Sequence, residues 1–292
     1  MSAADAAFDH PPAAPEGAAF RPARIDYLSP AGDRGLYGPD SVAWRVHANP
    51  IALGVGGICA VILELAEPRV RTGVWEHSIF ARQPLLRMQR TGEATMITTY
   101  GSTADALKRI AMVTRMHEKV AGTTPEGQAF HALDGDLMTW VHATAGFGFL
   151  NAYLSYVAPL SAADQDRYYA EGAAVGLAFG APGPPGSVAG VEALFRAMTP
   201  NLAPHRIIDE FLGIVRRTGP FGLAGRALQP LVVEAAIDLV PADIRARLGL
   251  SVSPARLALA RPMLRAMAAA ARKAPGPVVR DAYARMGRKA FG

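Results

Sequence analysis

The sequence predicts an all-α protein with a single globular domain. Of its 292 residues, 50% are hydrophobic and only 19% are charged, so the chain can bury a large core. Alanine and leucine are abundant, strand patterns are hard to find, and proline and glycine separate segments of helical periodicity. We expect residues 26–292 to form one multi-helix domain. Residues 1–25 are rich in Ala and Pro and lack apolar periodicity, so we expect a flexible tail there.

Apolar residues at helical spacing define the predicted helices. In chain order these span residues 40–48, 51–66, 84–98, 102–121, 134–158, 161–178, 187–198, 204–217, 226–239 and 254–273. Two apolar stretches resemble membrane spans, but residues 51–63 fall short of the ~20 residues that a span needs. The other stretch, residues 137–163, has no Lys, Arg, Asp or Glu but contains His142, Asn151 and several glycines. We therefore expect buried helices around an apolar pocket.

The predicted helix at residues 102–121 carries a histidine in the middle of its apolar face. Ser102 is a suitable N-cap, with Asp105 three residues later, and Gly122 suits the position beyond the C-terminus. The apolar arc comprises Leu107, Ile110, Val113, Thr114, His117, Val120 and Ala121. A lone histidine on such a face is usually a hydrogen-bonded core residue, but a neutral imidazole on a rigid helix also suits a metal cofactor.

A polar cluster lies on the predicted helix at residues 84–98. Pro84 suits the first turn of this helix. Arg87, Arg90 and Thr91 are spaced i, i+3 and i+4, so their side chains project from one side. Because a guanidinium can pair bidentately with a carboxylate, these arginines suit the acidic groups of a cofactor.

A series of motifs resembles one family of oxygenases. The motifs are GPDSVAWRV (38–46), the apolar segment ending LAEP (65–68), GVWEHS (73–78), RMQRT (87–91), MHEKVAG (116–122), ALDGDLMTWVHAT (132–144) and PLSAADQDRYYAE (159–171). In order and approximate spacing they are similar to the family of bacterial latex-clearing rubber oxygenases and fungal MpaB-type oxygenases, over most of residues 38–200. The resemblance implies a helical catalytic domain that binds heme b and activates O2 at its iron.

The resemblance also implies roles for individual residues. His117 matches the proximal ligand of the heme iron. Arg87 and Thr91 match residues that lie near the heme, and we expect them to take part in catalysis. Two positions depart from the family pattern. Arg90 stands where the rubber oxygenases have a lysine that can cap the iron, and Glu67 stands in LAEP where a histidine is expected.

Other ionisable residues are open candidates. The acidic residue proposed as a base in the rubber enzymes has no assigned counterpart here, and Glu64, Glu67 and Glu76 are candidates. His77 and His142 fall in family-like segments, so each either supports the cofactor pocket or has a purely structural role. The remaining histidines are expected to be surface or capping residues: His10, His47, His131 and His205.

Several other classes of site are excluded or disfavoured. Cys59 is the only cysteine, which excludes an intramolecular disulfide, a thiolate zinc cluster and covalent heme attachment. The glycines at 54–57 lack the strand and βαβ unit of a dinucleotide site, so close helix packing is the better interpretation. No Glu-x-x-His pair supports a di-iron bundle, and no Gly-x-Ser-x-Gly elbow or P-loop is present.

The charge of the chain is modest but uneven. The net charge is +5, and residues 245–292 contain eleven Lys or Arg with one acid, Asp281. No nucleic-acid motif or aromatic platform accompanies this basic region, so we expect a solvated helical surface and no nucleic-acid partner. Weak association with a membrane surface is the more specific alternative. No secretion signal is recognisable, which predicts a cytoplasmic protein.

These observations predict a heme-b-dependent oxygenase that uses O2 to oxidise or cleave an unsaturated apolar substrate, isoprenoid or lipid-like. One alternative is a noncatalytic helical protein that binds heme or a lipid. Another is a helical enzyme that works without heme.

Overall fold

The computed structural model describes residues 25–80, 82–218 and 222–290, and it is mostly helical, as predicted. The helices are α1 (Val42–His47), α2 (Pro50–Ala66), α3 (Pro68–His77), α4 (Pro84–Tyr100), α5 (Thr103–His117), α6 (Gly135–Tyr156), α7 (Ala162–Phe179), α8 (Val188–Met198), α9 (Arg206–Thr218), α10 (Gly222–Leu239), α11 (Ala242–Arg247), α12 (Pro254–Lys273) and α13 (Pro277–Arg285). A 3-10 turn follows α8 at Thr199–Asn201, and two short strands, β1 (Ala121–Thr123) and β2 (Ala129–His131), lie between α5 and α6. Residues 1–24, including His10, lie outside the described residues.

Every helix predicted from periodicity is present, and three further helices are not in the prediction. These are α3, α11 and α13, which have ten, six and nine residues. So few residues give a weak periodic signal, and each of these helices is set by its tertiary contacts instead. In α3, for example, buried Arg71 donates from Nη1 to the carbonyl oxygen of Leu65 at 3.1 Å.

The centre of the molecule is the pair α2 and α6. These helices run antiparallel, and their closest approach joins Gly56 to Gly148, where a Cβ on either residue would collide with the other's carbonyl oxygen. The glycines at 54–57 are interpreted from the sequence as a point of close helix packing, and this interpretation is confirmed for Gly56. Arg69, at the start of α3, pairs with Glu67 at 2.8 Å and with Asp136 at 2.6 Å, which ties the far end of this helix pair together.

Most residues of α2 are buried, and α6 carries buried residues along its whole length. Among the described residues, no single helix combines the length and apolarity that a membrane crossing needs. One pair, α2 with α3, meets that test jointly but is bent by 106°.

The prediction for the end of α5 is wrong. This helix ends at His117, and the chain then turns into β1, in which Ala121 pairs with His131 and Gly122 with Phe130. Gly122 is therefore a strand residue and not a helix terminus. Gly127, with φ of 86°, allows the tight turn of this hairpin, and the strand pairing supplies hydrogen bonds that further helix would have made.

The apolar arc predicted for α5 is also only partly right. Ile110 is buried and Val113 and Thr114 are half-buried, but Leu107 is 47% exposed. The N-cap prediction is confirmed, because the side chain of Ser102 accepts from the backbone nitrogen of Asp105 at 3.1 Å.

The prediction of a surface or capping role for His47 is wrong. This histidine is buried at the end of α1, with Nδ1 2.9 Å from Thr99 Oγ1 and Nε2 3.0 Å from the Tyr168 hydroxyl. Burial lowers the pKa of His47 to about 4. Its position follows from the packing of α1 between α4 and α7, which a helix too short to show periodicity does not reveal. His205 and His131 do have capping roles, since their Nδ1 atoms accept from the backbone two residues later.

One arginine of α13 joins distant parts of the chain. The guanidinium of Arg285 is buried and donates to the carbonyl oxygens of Asp33 at 2.8 Å and Tyr27 at 3.0 Å. It also donates to the carbonyl oxygens of Tyr100 at 2.8 Å and Gly101 at 3.2 Å, at the end of α4. The segment before α1, the end of α4 and α13 therefore share one cation.

Candidate active site

Three helices bring an acid, a cation and an imidazole to one place. Glu64 lies on α2, Arg87 near the start of α4, and His117 at the end of α5. The charge of Arg87 lowers the pKa of both Glu64 and His117, so Arg87 lies within electrostatic reach of each of them. We call Glu64, Arg87 and His117 the α2–α4–α5 cluster.

Glu64 is half-buried and titrates near neutral pH. Burial raises its pKa to about 7, although the Arg87 charge and the hydroxyl of Thr144 act in the opposite direction. Thr144 is fully buried on α6, where its hydroxyl donates to the carbonyl oxygen of Val141 at 3.0 Å and lies 3.5 Å from Glu64 Oε1. The antiparallel packing of α2 on α6 creates this contact, two turns along α2 from Gly56. Because of its pKa, Glu64 can either hold or release a proton at physiological pH.

The imidazole of His117 has a nitrogen without a partner. Its Nδ1 atom is buried, and within the part of the chain that the structure describes no hydrogen bond reaches it. Burial is the main cause that lowers the pKa of His117, followed by the charges of Arg87 and His131, so the ring is neutral at pH 7. A buried polar nitrogen with no bond costs free energy, which favours a role with a bound group.

The polar cluster predicted on α4 is present. Arg87 Nη1 donates to Thr91 Oγ1, and the Thr91 hydroxyl in turn donates to the carbonyl oxygen of Arg87 at 3.0 Å. These two contacts hold the Arg87 guanidinium against its own helix. Arg90 is exposed, and its charge, after burial, helps to lower the pKa of Arg87.

The two other candidate histidines lie on α3 and α6. His142 packs against α7, where a Cβ on Gly176 would lie 3.0 Å from its Nε2. Since two residues subtend about 200° on a helix, His142 and Thr144 point to different sides of α6. Burial lowers the pKa of His142 to about 4. His77 is exposed at the end of α3, and a Cβ on Gly122 would lie 3.8 Å from its Nε2.

The three candidate acids lie in different surroundings. Glu67 is buried as the N-cap of α3, where Oε2 accepts from the Val70 nitrogen at 2.8 Å and Oε1 pairs with Arg69. Glu76 is exposed. Glu64 is therefore the candidate that faces Arg87. Thr144 was not singled out from the sequence, and its one signal there is a hydroxyl within an uncharged helical stretch.

Comparison with known proteins gives one match. A family model described as "ER-bound oxygenase mpaB/B'/Rubber oxygenase, catalytic domain" matches residues 44–273. No curated protein and no solved structure matches the chain. The matched range contains the whole α2–α4–α5 cluster together with Thr91, Thr144, His77 and His142. The chain therefore belongs to the mpaB/rubber oxygenase catalytic-domain family, and oxygenase activity is its general function.

Proposed function

We propose that the protein is a heme-b-dependent oxygenase in which His117 ligates the iron. The observation that carries this proposal is the buried, unpartnered nitrogen of a neutral imidazole within electrostatic reach of Arg87. When bound, heme would supply an iron centre that activates O2.

The residues present fit such a group. Loss of positive charge leaves His117 with a lone pair that a metal can use, so its lowered pKa favours ligation. Arg87 is held by Thr91, and Arg90 lies one turn away on the same side of α4. These two guanidinium groups suit the propionate carboxylates of heme. In this proposal His117 would hold the iron, and the two arginines would hold the propionates.

Other residues of the chain would support the chemistry at this site. Glu64 holds or moves a proton at its carboxyl group, since its pKa is about 7. The Thr144 hydroxyl lies beside that carboxyl group, and Thr91 orients Arg87. The buried apolar residues of α2 and α6 exclude water from the surroundings of Glu64. An unsaturated apolar molecule, isoprenoid or lipid-like, is the substrate class that such walls favour.

The decisive experiment is an absorption spectrum of the purified protein, followed by matched histidine variants. We expect a Soret band that is lost or shifted in His117→Ala. His142→Ala is the matched control, because it also removes a buried neutral histidine, and we expect it to keep the band. A Soret band that survives His117→Ala but disappears in His142→Ala or His77→Ala would overturn the ligand assignment.

Oxygen uptake separates this function from the noncatalytic alternative. We expect isoprenoid or unsaturated lipid analogues to shift the Soret band, and at least one of them to support O2 consumption. A protein that binds heme while no such compound changes its spectrum or its O2 consumption would be a binding protein instead.

Cytoplasmic location and weak membrane-surface association belong to the same proposal. The outer side of α12 exposes Leu259, at 64%, together with Arg265, Arg272 and Lys273. Such a mixture of apolar and basic side chains suits anionic lipid headgroups. Sedimentation with anionic but not with neutral vesicles, abolished by Leu259→Asp, would support it, and absence of the protein from both pellets would reject it.

A further inference from the structure

A cavity of about 250 Å³ lies between α6, α7, α8 and α11, and the α2–α4–α5 cluster does not line it. The volume corresponds to about eight water molecules at roughly 30 Å³ each, so its occupant would have about eight to ten heavy atoms. The cavity is partly open to solvent. Three features of its lining indicate what kind of molecule it would accept.

The first feature is an aromatic wall. Phe147 of α6 and Phe195 of α8 lie with ring centroids 4.7 Å apart at an interplanar angle of 40°, and Tyr169 of α7 adds a third ring. Tyr169 and Phe195 are buried and Phe147 is half-buried, so these rings form part of a fixed wall. Aromatic faces attract organic cations through their negative quadrupole.

The second feature is a pair of side-chain amide groups, each of which donates one hydrogen bond to the backbone. Asn151 Nδ2 donates to the carbonyl oxygen of Phe147 at 2.9 Å, and Gln165 Nε2 donates to the carbonyl oxygen of Leu160 at 3.1 Å. Both amides line the cavity. Each amide keeps its carbonyl oxygen as an acceptor and one N–H as a donor, so the polar part of the lining can accept hydrogen bonds from an ammonium group.

The third feature is the charge of the cavity mouth. Glu192 and Asp243 are exposed there, and the one cation among the lining residues, Arg196, lies 3.9 Å from Glu192. That pair is solvent-exposed and therefore weak. The Glu192 carboxylate also contributes, after burial, to the raised pKa of Tyr169, so its field extends into the cavity. The mouth is thus acidic in a chain of net charge +5.

We propose that this cavity is a binding site for a small organic ammonium ion with an apolar or aromatic body. The body packs against Phe147, Phe195 and Tyr169, and the ammonium group lies toward Glu192 and Asp243 within reach of the amide oxygens. This site is separate from the α2–α4–α5 cluster, so the proposal stands whether or not the protein binds heme.

Calorimetric titration with three probes of similar size tests the proposal: phenethylammonium, the neutral 2-phenylethanol and the anionic 3-phenylpropanoate. We expect phenethylammonium to bind at least tenfold more tightly than the alcohol, and the carboxylate not to bind. Equal affinity for the cation and the alcohol, or no binding of phenethylammonium by the folded protein, would overturn the proposal.

Variants locate the binding in this cavity. The double variant Glu192→Gln with Asp243→Asn should weaken phenethylammonium binding at least tenfold, and Glu126→Gln, which removes an exposed acid in the β1–β2 hairpin, should leave it unchanged. Leu154→Trp, which fills the cavity, should abolish binding while thermal melting shows a folded protein. Unchanged affinity in the double variant, or equal loss in Glu126→Gln, would contradict a site at this place.

Discussion

Glu64 and Arg87 lie on different helices, yet each shifts the pKa of the other. Arg87 opposes the effect of burial on the Glu64 carboxyl, and Glu64 opposes the effect of burial on the Arg87 guanidinium. No ion pair within 4 Å joins them among the contacts of the described residues. The interaction is therefore a longer-range one, and the combined charge of Glu64 and Arg87 depends on the protonation of Glu64 near neutral pH.

The first prediction concerns stability and pH at Glu64. Its folded-state pKa of about 7 lies above the unfolded value of 4.5, so its contribution is fully present below pH 4.5 and is lost as pH rises through 7. This group should lower the free energy of unfolding by on the order of 2–3 kcal/mol across that range. Urea titrations from pH 5 to 8 should show a smaller decline in Glu64→Gln. Glu76→Gln, at an exposed site, should behave like the wild type, and an unchanged slope in Glu64→Gln would contradict the buried-acid assignment.

The second prediction concerns His47, whose contribution to stability changes with pH in the opposite direction. His47 has a folded-state pKa of about 4, below the usual 6.5, so its contribution is present above pH 6.5 and is lost as pH falls toward 4. His47→Phe should flatten part of this acid decline. It should also cost about 1–3 kcal/mol at pH 7, because Thr99 and the Tyr168 hydroxyl lose their partner. Urea unfolding at pH 7 and pH 5 measures both effects. Stability equal to the wild type at pH 7 would show that these bonds contribute nothing.

The third prediction concerns the crossing of α2 and α6. Gly56→Ala should lower the free energy of unfolding by about 3 kcal/mol, since the new methyl group meets the backbone of Gly148 and cannot rotate away. Gly54→Ala is the matched control on the same helix. Nothing lies within 4 Å of its added Cβ, so it should gain about 0.5–1 kcal/mol from helix propensity. Thermal or urea melts in which both variants behave alike would show that the helices can separate without penalty.

The fourth prediction rests on the proposed heme function and on Arg90. A guanidinium, with a pKa above ~12, offers no lone pair to iron, so Arg90 would not act as a second protein ligand to the iron of a bound heme. The ferric protein should be largely high-spin, and imidazole or azide should bind without displacing a side chain. Arg90→Lys should shift part of the population to a low-spin form. Electron paramagnetic resonance of the wild type showing a pure low-spin signal would mean that another side chain caps the iron.

Helix periodicity predicted most of the fold, because long amphipathic segments such as α9 and α12 carry their own signal. It failed where tertiary contacts decide the backbone. The chain after His117 contains apolar residues at helical spacing, but pairing of Ala121 with His131 takes precedence. One further turn of helix would stabilise this segment less than the β1–β2 hairpin does, because the hairpin packs on α3.

The candidate site was predictable only in part. The spacing of Arg87 and Thr91 was enough to predict that they meet, since both lie on one helix. The approach of Glu64 to Arg87 and Thr144 depends on how three helices pack, and one sequence carries no such information. His47 was missed for the same reason: its partners lie 52 and 121 residues away along the chain.

The bonds of Arg285 form late in folding, because this residue lies near the end of the chain and its partners lie near the beginning. Its bond to Tyr27 closes a loop of 258 residues, and its bond to Tyr100 spans 185 residues. During synthesis the segment before α1 emerges first, but the cation that fastens it emerges only after α12. The early helices can pair, and Asp33 can accept from Thr103, while the ribosome is still translating, whereas the bonds of Arg285 wait until α13 is available. Stalling translation before residue 285 should therefore leave residues 25–32 of the nascent chain more open to proteases.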